Sequence, residues 1–261
     1  YIDKINEGPS LSRKSGTEQA KGKYIQYLDS DDFLQENAIE YLTDKAEATN
    51  AEVVAAPFFF YYSENKMDIS GHFSFQEMTG MEYFNEILSG RAYWSVWSNF
   101  LSRSLFERND ISFVPEISFG EDAILMVQLL YHTQKVVALE QPILYYRQIE
   151  SSICHDITPK RHEDLRTYTK WIERFMIEKG LYESYRNNLI LKNIEMAFLC
   201  MHWGYYENAD KDMKRIVKDI KKRPQLLKCL PGRQRKIIKV YRFSSWLGFL
   251  NLMHYKKQGK L

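Results

Sequence analysis

Three carboxylates stand within four positions, directly after a short apolar run. The run is YIQYL at 24–28, and the carboxylates are Asp29, Asp31 and Asp32. Because neighbouring anions repel one another, a cluster of this kind calls for a compensating group. One interpretation is that Asp31 and Asp32 begin a helix, whose N-terminal end favours carboxylates. The other is that the cluster binds a cation.

A divalent metal ion is the cation that suits these side chains. YIQYL predicts a strand, and ligands of an α/β sheet lie beyond the carboxyl ends of its strands. Oxygen ligands at positions i and i+2, the D-x-D spacing of Asp29 and Asp31, suit Mg²⁺ or Mn²⁺. These ions keep several waters and bind one or two carboxylates together with substrate phosphates. The cluster is therefore typical of a diphosphate site.

The elements that must position this cluster alternate between strand and helix up to about residue 159. Predicted strands lie at 24–28, 51–62, 94–100, 136–139 and 143–147. Predicted helices lie at 12–20, 35–49, 79–88, 104–109, 123–132, 161–179, 184–203 and 208–222. The alternation predicts an α/β fold with a mostly parallel sheet flanked by helices. The long helices predict a second, helical region, with domains at 1–159 and 160–261.

Composition restricts the class of protein. The 261 residues are 44% hydrophobic and 27% charged, which is typical of a globular chain and not of a disordered one. No apolar stretch has the length of a membrane span. The three cysteines lack C-x-x-C spacing, so they indicate neither a disulfide framework nor a zinc site. We therefore expect a cytoplasmic protein, attached at most to the inner face of the membrane.

The charges are distributed unevenly along the chain. Residues 1–210 carry 20 Lys and Arg against 32 Asp and Glu, whereas residues 211–261 carry 16 against 2. The basic tail implies an anionic partner. Cations alternate with apolar residues at 214–242 and run into FSSWLGFLNLMHY, which suits an anionic membrane surface. The alternative is a packed helical appendage with a solvated basic face. We do not expect nucleic acid, because the rest of the chain is acidic.

Three ordered blocks of sequence surround the acidic cluster. The first runs from Asn6 to Asp32 with the pattern N-x-G-x-S-x-x-R-x-x-G-x-x-x-A-x-G-x-Y-I-x-x-L-D-S-D-D. The second runs from Trp97 through Phe113 to Gly120-Glu121-Asp122. The third is LYYR at 144–147, followed by SSI at 151–153. Together, over about residues 6–155, they closely resemble the family 2 glycosyltransferases, which are inverting enzymes of the GT-A fold.

The resemblance implies a metal-dependent transfer of a sugar from a nucleotide-diphosphate donor, UDP-sugar above all. The acceptor would be a saccharide or a lipid-linked glycan of a bacterial surface polysaccharide such as a capsule. A cation, Mn²⁺ or Mg²⁺, neutralises the departing diphosphate. Asp31 would bind it, with Asp29 and His155 as further ligands. Asp29, Arg13 and Asp32 would support the donor, although Arg13 also suits an ordinary surface arginine.

The resemblance also implies a general base. Asp122 would accept the proton of the acceptor hydroxyl, and Glu121 beside it would bind the acceptor. The alternative is that both only cap the helix that follows. Trp97 would either stack on a sugar or lie buried in the core. Inversion would follow from one displacement without a covalent intermediate.

One departure from the family pattern concerns the N-terminus. Only 28 residues precede Asp29, whereas the family opens further upstream with a strand and an acidic nucleoside-binding loop. We therefore expect the chain to lack that first strand. A rival hypothesis is a GT-A-like scaffold or membrane-surface module that has lost donor binding. A second rival is a nucleotidyltransferase, which would act on nucleotide triphosphates.

Overall fold

The computed structural model describes residues 2, 4–148 and 158–257. These residues form two compact units, Tyr1–Ile172 and Glu173–Leu261. The boundary falls within a helix, Pro159–Glu178, that begins where the helical character of the sequence was predicted to begin. The domain boundary at residue 160 stays a prediction.

The first unit contains a five-stranded sheet, with strand order β1-β7-β3-β8-β6. Its central strand β3 is fully buried because Val53, Val54 and Ala55 are all apolar, so both faces can be covered. The strands are β1 (Tyr24–Ile25), β3 (Val53–Ala55), β6 (Glu77–Met78), β7 (Asn99–Ser102) and β8 (Val136–Ala138).

A second sheet of four strands has the order β2-β9-β4-β5. The predicted strand 51–62 is in fact divided between the two sheets at Pro57, which has no N–H to donate to a strand ladder. The strands are β2 (Phe33–Leu34), β4 (Phe59–Ser63), β5 (Lys66–Ile69) and β9 (Leu144–Arg147).

The α/β class and the helical C-terminal region are confirmed, but the prediction of a mostly parallel sheet was wrong. Among the described strands only β3 with β8 and β4 with β9 pair in parallel. Strand β7 runs antiparallel to both β1 and β3. A short, fully buried strand is a run of apolar residues in either direction, so its orientation cannot be inferred from residue types.

The helices of the first unit agree with the predicted ones to within a few residues. Thr79 and Glu82 form the capping box at the start of α3, with each side chain bonded to the backbone N–H of the other residue. Helix α5 is buried from Ala123 to Leu130, and it packs against α3. The helices are α1 (Gly8–Gln19), α2 (Ala38–Thr49), α3 (Gly80–Leu88), α4 (Ser104–Glu107), α5 (Glu121–His132) and α6 (Pro159–Glu178); a 3-10 turn spans Val96–Ser98.

The second unit contains the end of α6 and four further helices. Helix α8 is amphipathic: Met213, Ile216 and Ile220 lie on its buried face. Within the described residues, no helix combines the length and apolar character needed to cross a membrane. The helices are α7 (Tyr182–His202), α8 (Tyr206–Lys222), α9 (Gly232–Phe243) and α10 (Ser245–Lys257), with a 3-10 segment at Pro224–Cys229.

Candidate active site

The acidic cluster forms a turn between β1 and β2. The N–H of Asp32 donates to the carbonyl of Asp29 at 3.1 Å, which closes the turn. The side chains of Asp29 and Asp31 face a cavity, so the cluster does not begin a helix. Within the described residues the Asp31 carboxylate has no hydrogen-bond or ion-pair partner, and it is therefore free to bind a ligand.

Asp32 points the other way. Its carboxylate accepts the backbone N–H of Arg147 on β9 at 2.9 Å, while the Arg147 guanidinium donates to the carbonyl of Asp31. Burial raises the pKa of Asp32 to about 6 against the effect of that N–H. Asp32 does not line the cavity. It holds the turn against the second sheet.

Opposite the turn, the cavity is bordered by the start of α5. Gly120 precedes the helix with φ at +90°, and a Cβ there would lie 2.1 Å from the ring of Tyr168 on α6. Asp164, also on α6, accepts the N–H and the hydroxyl of Ser118, each at 3.0 Å. This end of α5 is therefore fixed by the first half of α6.

Glu121 and Asp122 occupy the first turn of α5, where the helix dipole favours carboxylates. Oδ2 of Asp122 accepts the backbone N–H of Val96 at 3.2 Å. Oδ1 is buried and lies 2.9 Å from Nη1 of Arg13, without the geometry of a hydrogen bond. Asp122 thus keeps one oxygen without a hydrogen bond.

Arg13, on α1, joins the two acidic groups. Its guanidinium lies 3.1 Å from Asp29, 2.6 Å from Glu121 and 2.9 Å from Asp122, and its side chain is only 11% exposed. Burial lowers the pKa of Arg13, but the carboxylates together raise it above its ordinary value. The residue is not an ordinary surface arginine, and it brings the turn and the helix start within one side-chain length of each other.

The electrostatics of Asp122 suit proton transfer. Burial raises the pKa of its carboxyl to about 7, with Arg13 opposing the rise and with Glu121 and Asp29 adding to it. A general base works best when its pKa lies near the working pH. The helix start therefore supplies a buried carboxyl group whose raised pKa is compatible with a general base.

The cavity has a volume of about 380 Å³, within the range of small-molecule sites. Trp97 is 7% exposed and stacks on Tyr146, with ring centroids 5.1 Å apart, so it is largely a core residue with one edge at the cavity. The lining residues are Pro9, Arg13, Asp29, Ser30, Asp31, Trp97, Ser118, Phe119, Gly120, Glu121, Asp122 and Tyr146.

The structure brings most of the predicted site residues together at this cavity: Arg13, Asp29, Asp31, Glu121 and Asp122. His155 lies outside the described residues. Sequence reasoning assigned no role to Tyr146 or Ser118. Tyr146 stands within the LYYR block, which was the signal available for it, whereas only the fold brings Ser118 to the cavity.

The predicted metal ion can be tested against these side chains. The described residues contain no ready group of three or more His, Cys, Asp or Glu around one point. Asp29 and Asp31 are nonetheless two hard oxygen donors at one cavity, and Mg²⁺ or Mn²⁺ binds through one or two carboxylates, waters and substrate phosphates. The donor set therefore fits such an ion.

Comparison with known proteins finds similarity to glycosyltransferases. Residues 1–111 match the family described as Glycosyl transferase family 2. The chain is 25% identical over 228 residues to the "Uncharacterized glycosyltransferase EpsJ" of Bacillus subtilis, covering 84% of this chain and 66% of that protein. It is also 25% identical over 193 residues to the "Cholesterol galactosyltransferase" of Borreliella burgdorferi, covering 70% and 53%. The chain thus spans between about half and two thirds of these relatives.

Solved structures share the fold. Residues 1–349 of S. aureus TarS, in complex with UDP-GlcNAc, align with 99% of this chain and 74% of that one. The TM-score is 0.65 at 14% sequence identity. The same protein in complex with UDP aligns with a TM-score of 0.59. At this identity the likeness shows the fold alone, which is that of GT-A glycosyltransferases.

Proposed function

Because residues 1–111 match the family model of Glycosyl transferase family 2, we propose that the chain transfers a sugar from a nucleotide-diphosphate donor to a saccharide or lipid-linked acceptor with inversion. TarS, which shares the fold, was solved with UDP-GlcNAc and with UDP, and this supports a UDP-sugar as the donor. A relative named "Minor teichoic acid biosynthesis protein GgaB", from Bacillus subtilis, is 24% identical over 86% of this chain and 23% of its own length. We propose a bacterial surface glycan, of the capsule type, as the product.

In this proposal the two sides of the cavity have different roles. Asp122 accepts the proton of the acceptor hydroxyl, for which a pKa of about 7 is suitable. Glu121 binds the acceptor beside it. The displacement is a single step, so the anomeric carbon inverts and no covalent sugar intermediate forms.

The acidic turn faces the donor. Asp31 and Asp29 would hold Mn²⁺ or Mg²⁺, with His155 as a further proposed ligand, and such an ion neutralises negative charge on a departing diphosphate. Arg13 supplies a second cation at the same place, and we propose that it meets the donor phosphates. Asp32 supports the turn from its bond to Arg147.

The proposed location is the cytoplasm, at the inner face of the membrane, where a lipid-linked acceptor is accessible. The basic tail would supply contact with that anionic surface.

One observation carries the proposal: at one cavity, Arg13 forms ion pairs with carboxylates from both the acidic turn and the start of α5. The test is turnover of UDP-sugars with Mn²⁺ or Mg²⁺ by the chain and by its Asp31→Ala and Asp122→Ala variants. We expect both variants to be inactive, with Asp44→Ala, an exposed carboxylate on α2, as the unaffected control. Activity that survives both substitutions refutes the site.

Calorimetry with UDP in the presence and absence of Mn²⁺ separates the enzyme from a scaffold. The enzyme binds UDP more tightly with the metal, and Asp31→Ala removes that difference. A chain that shows no metal-dependent binding supports the non-catalytic alternative.

A further inference from the structure

The outer surface of α9 and α10 carries large apolar side chains. Phe243 is 85% exposed, Trp246 68%, Leu250 44% and Leu247 38%. Trp246, Leu247 and Leu250 lie at positions i, i+1 and i+4 of α10, so they share one side of that helix, and Phe243 is the last residue of α9, two residues before α10 begins. Monomeric soluble proteins rarely expose contiguous apolar patches of this kind without a partner.

This patch faces outward because the other side of each helix is already packed. On α9 the side chains of Ile237, Ile238 and Tyr241 are buried, and on α10 that of Leu252 is buried. Gly248 fits against the Tyr241 ring so closely that a Cβ would lie 2.4 Å from it. This contact fixes the rotation of α10. The patch is therefore not the inner face of a loosely placed helix.

Exposed lysines lie on the same side of α9 as Phe243. Lys239 and Lys236 are exposed on α9, one and two turns before Phe243 respectively. From residue 220 to the end, the sequence has 12 Lys and Arg and no Asp or Glu. A surface that combines exposed aromatic and aliphatic side chains with a basic face is complementary to an anionic lipid interface.

We propose that this surface, formed by Lys236, Lys239, Phe243, Trp246, Leu247 and Leu250, docks on an anionic membrane. It rests on the membrane partner proposed above, and not on glycosyl transfer. The apolar side chains enter the boundary between headgroups and acyl chains, while the lysines pair with lipid phosphates. A second copy of this face is disfavoured as the occupant, because it would place one basic surface opposite another.

The test is co-sedimentation of the full chain with two kinds of vesicle. We expect binding to phosphatidylcholine vesicles that contain phosphatidylglycerol, and little binding to phosphatidylcholine alone. Replacing Phe243, Trp246 and Leu250 together by Ser should weaken binding by about tenfold or more. Replacing Lys236 and Lys239 by Gln should weaken it about fivefold for each lysine.

Matched controls use exposed residues elsewhere. Ile177→Ser removes an apolar side chain that is 59% exposed, and the double variant Lys21→Gln, Lys170→Gln removes two exposed charges. Both should bind like the wild type, and circular dichroism verifies that every variant is folded. Equal binding to both kinds of vesicle, or binding that the patch variants retain, overturns the proposal. So does a loss of dimerisation in the apolar variant with vesicle binding intact, since the occupant is then a second copy. Because no turnover is measured, the result is independent of the proposed catalysis.

Discussion

The two acidic sides of the cavity differ in how their carboxylates are held. On the turn, Asp29 has a side chain that is 40% exposed, and the carboxylate of Asp31 has no partner among the described residues. On α5, Asp122 is 18% exposed, bonded to a backbone N–H and shifted to a pKa of about 7. The difference in burial thus gives similar carboxyl groups different chemistry. Accessible carboxylate oxygens suit the binding of a cation, and a desolvated carboxyl group suits proton transfer.

The largest expected effect tests the α5 side. Asp122→Asn keeps the shape and the bond to Val96 but removes the base. We expect kcat for a UDP-sugar and acceptor to fall by about 10²–10⁴-fold, while the affinity for UDP, measured by calorimetry, is nearly unchanged. If UDP binding falls as much as kcat, the division of labour between the two sides is wrong.

A substitution on the turn should change the binding of UDP as well as turnover. We expect Asp31→Asn to lower turnover by about 10²-fold and to abolish the dependence of UDP affinity on Mn²⁺. The measurement is a metal titration of binding and of initial rate. A variant that keeps the metal dependence of the wild type removes Asp31 from the proposed metal site.

Arg13 links the sides, and its removal should appear in the pH profile. A base must be ionised, so the rate rises with pH through the pKa of Asp122, about 7. Arg13 opposes the rise of that pKa, and Arg13→Gln should therefore move the ascending limb to higher pH by about 1 to 3 pH units. Lys14→Gln, which changes an exposed neighbour on α1, should leave the limb in place. If the ascending limb does not move in Arg13→Gln, then the ion pair with Arg13 does not control the pKa of Asp122.

The smallest effect should come from the third aspartate of the turn. Asp32→Asn retains an oxygen that can accept the Arg147 N–H, so we expect turnover to fall less than about tenfold. Asp32→Leu loses that acceptor and should lower the melting temperature. If Asp32→Asn is as inactive as Asp31→Asn, then Asp32 binds the ligand directly.

Residue types and spacing allowed the site to be predicted in outline. The pattern from Asn6 to Asp32 and the Gly120-Glu121-Asp122 motif identified the side chains that meet at the cavity. Their opposite placement required the fold, because Arg13 and Glu121 are 108 positions apart. The inward turn of Asp32 could not be predicted either, since it depends on a backbone N–H of β9 that no side-chain pattern reveals.

The fold was predictable where a local rule decides the structure. The capping box at Thr79 and the helix after Gly120 follow from neighbouring residues alone. The direction of β7 and the split at Pro57 depend on which strands lie alongside, and those partners come from distant parts of the chain. Local propensity carries no information about such partners.

The contact of Tyr168 with Gly120, together with that of Asp164 with Ser118, has a practical consequence for anyone who shortens this protein. A chain cut at residue 159, where the strands and helices stop alternating, retains every candidate catalytic side chain. It loses the contacts of Tyr168 and Asp164 that fix the residues before Glu121. Gly120, whose backbone can adopt many conformations, is then no longer held in its observed one. Such a fragment should hold Asp122 poorly, so minimal versions of the protein should extend at least through Ile172.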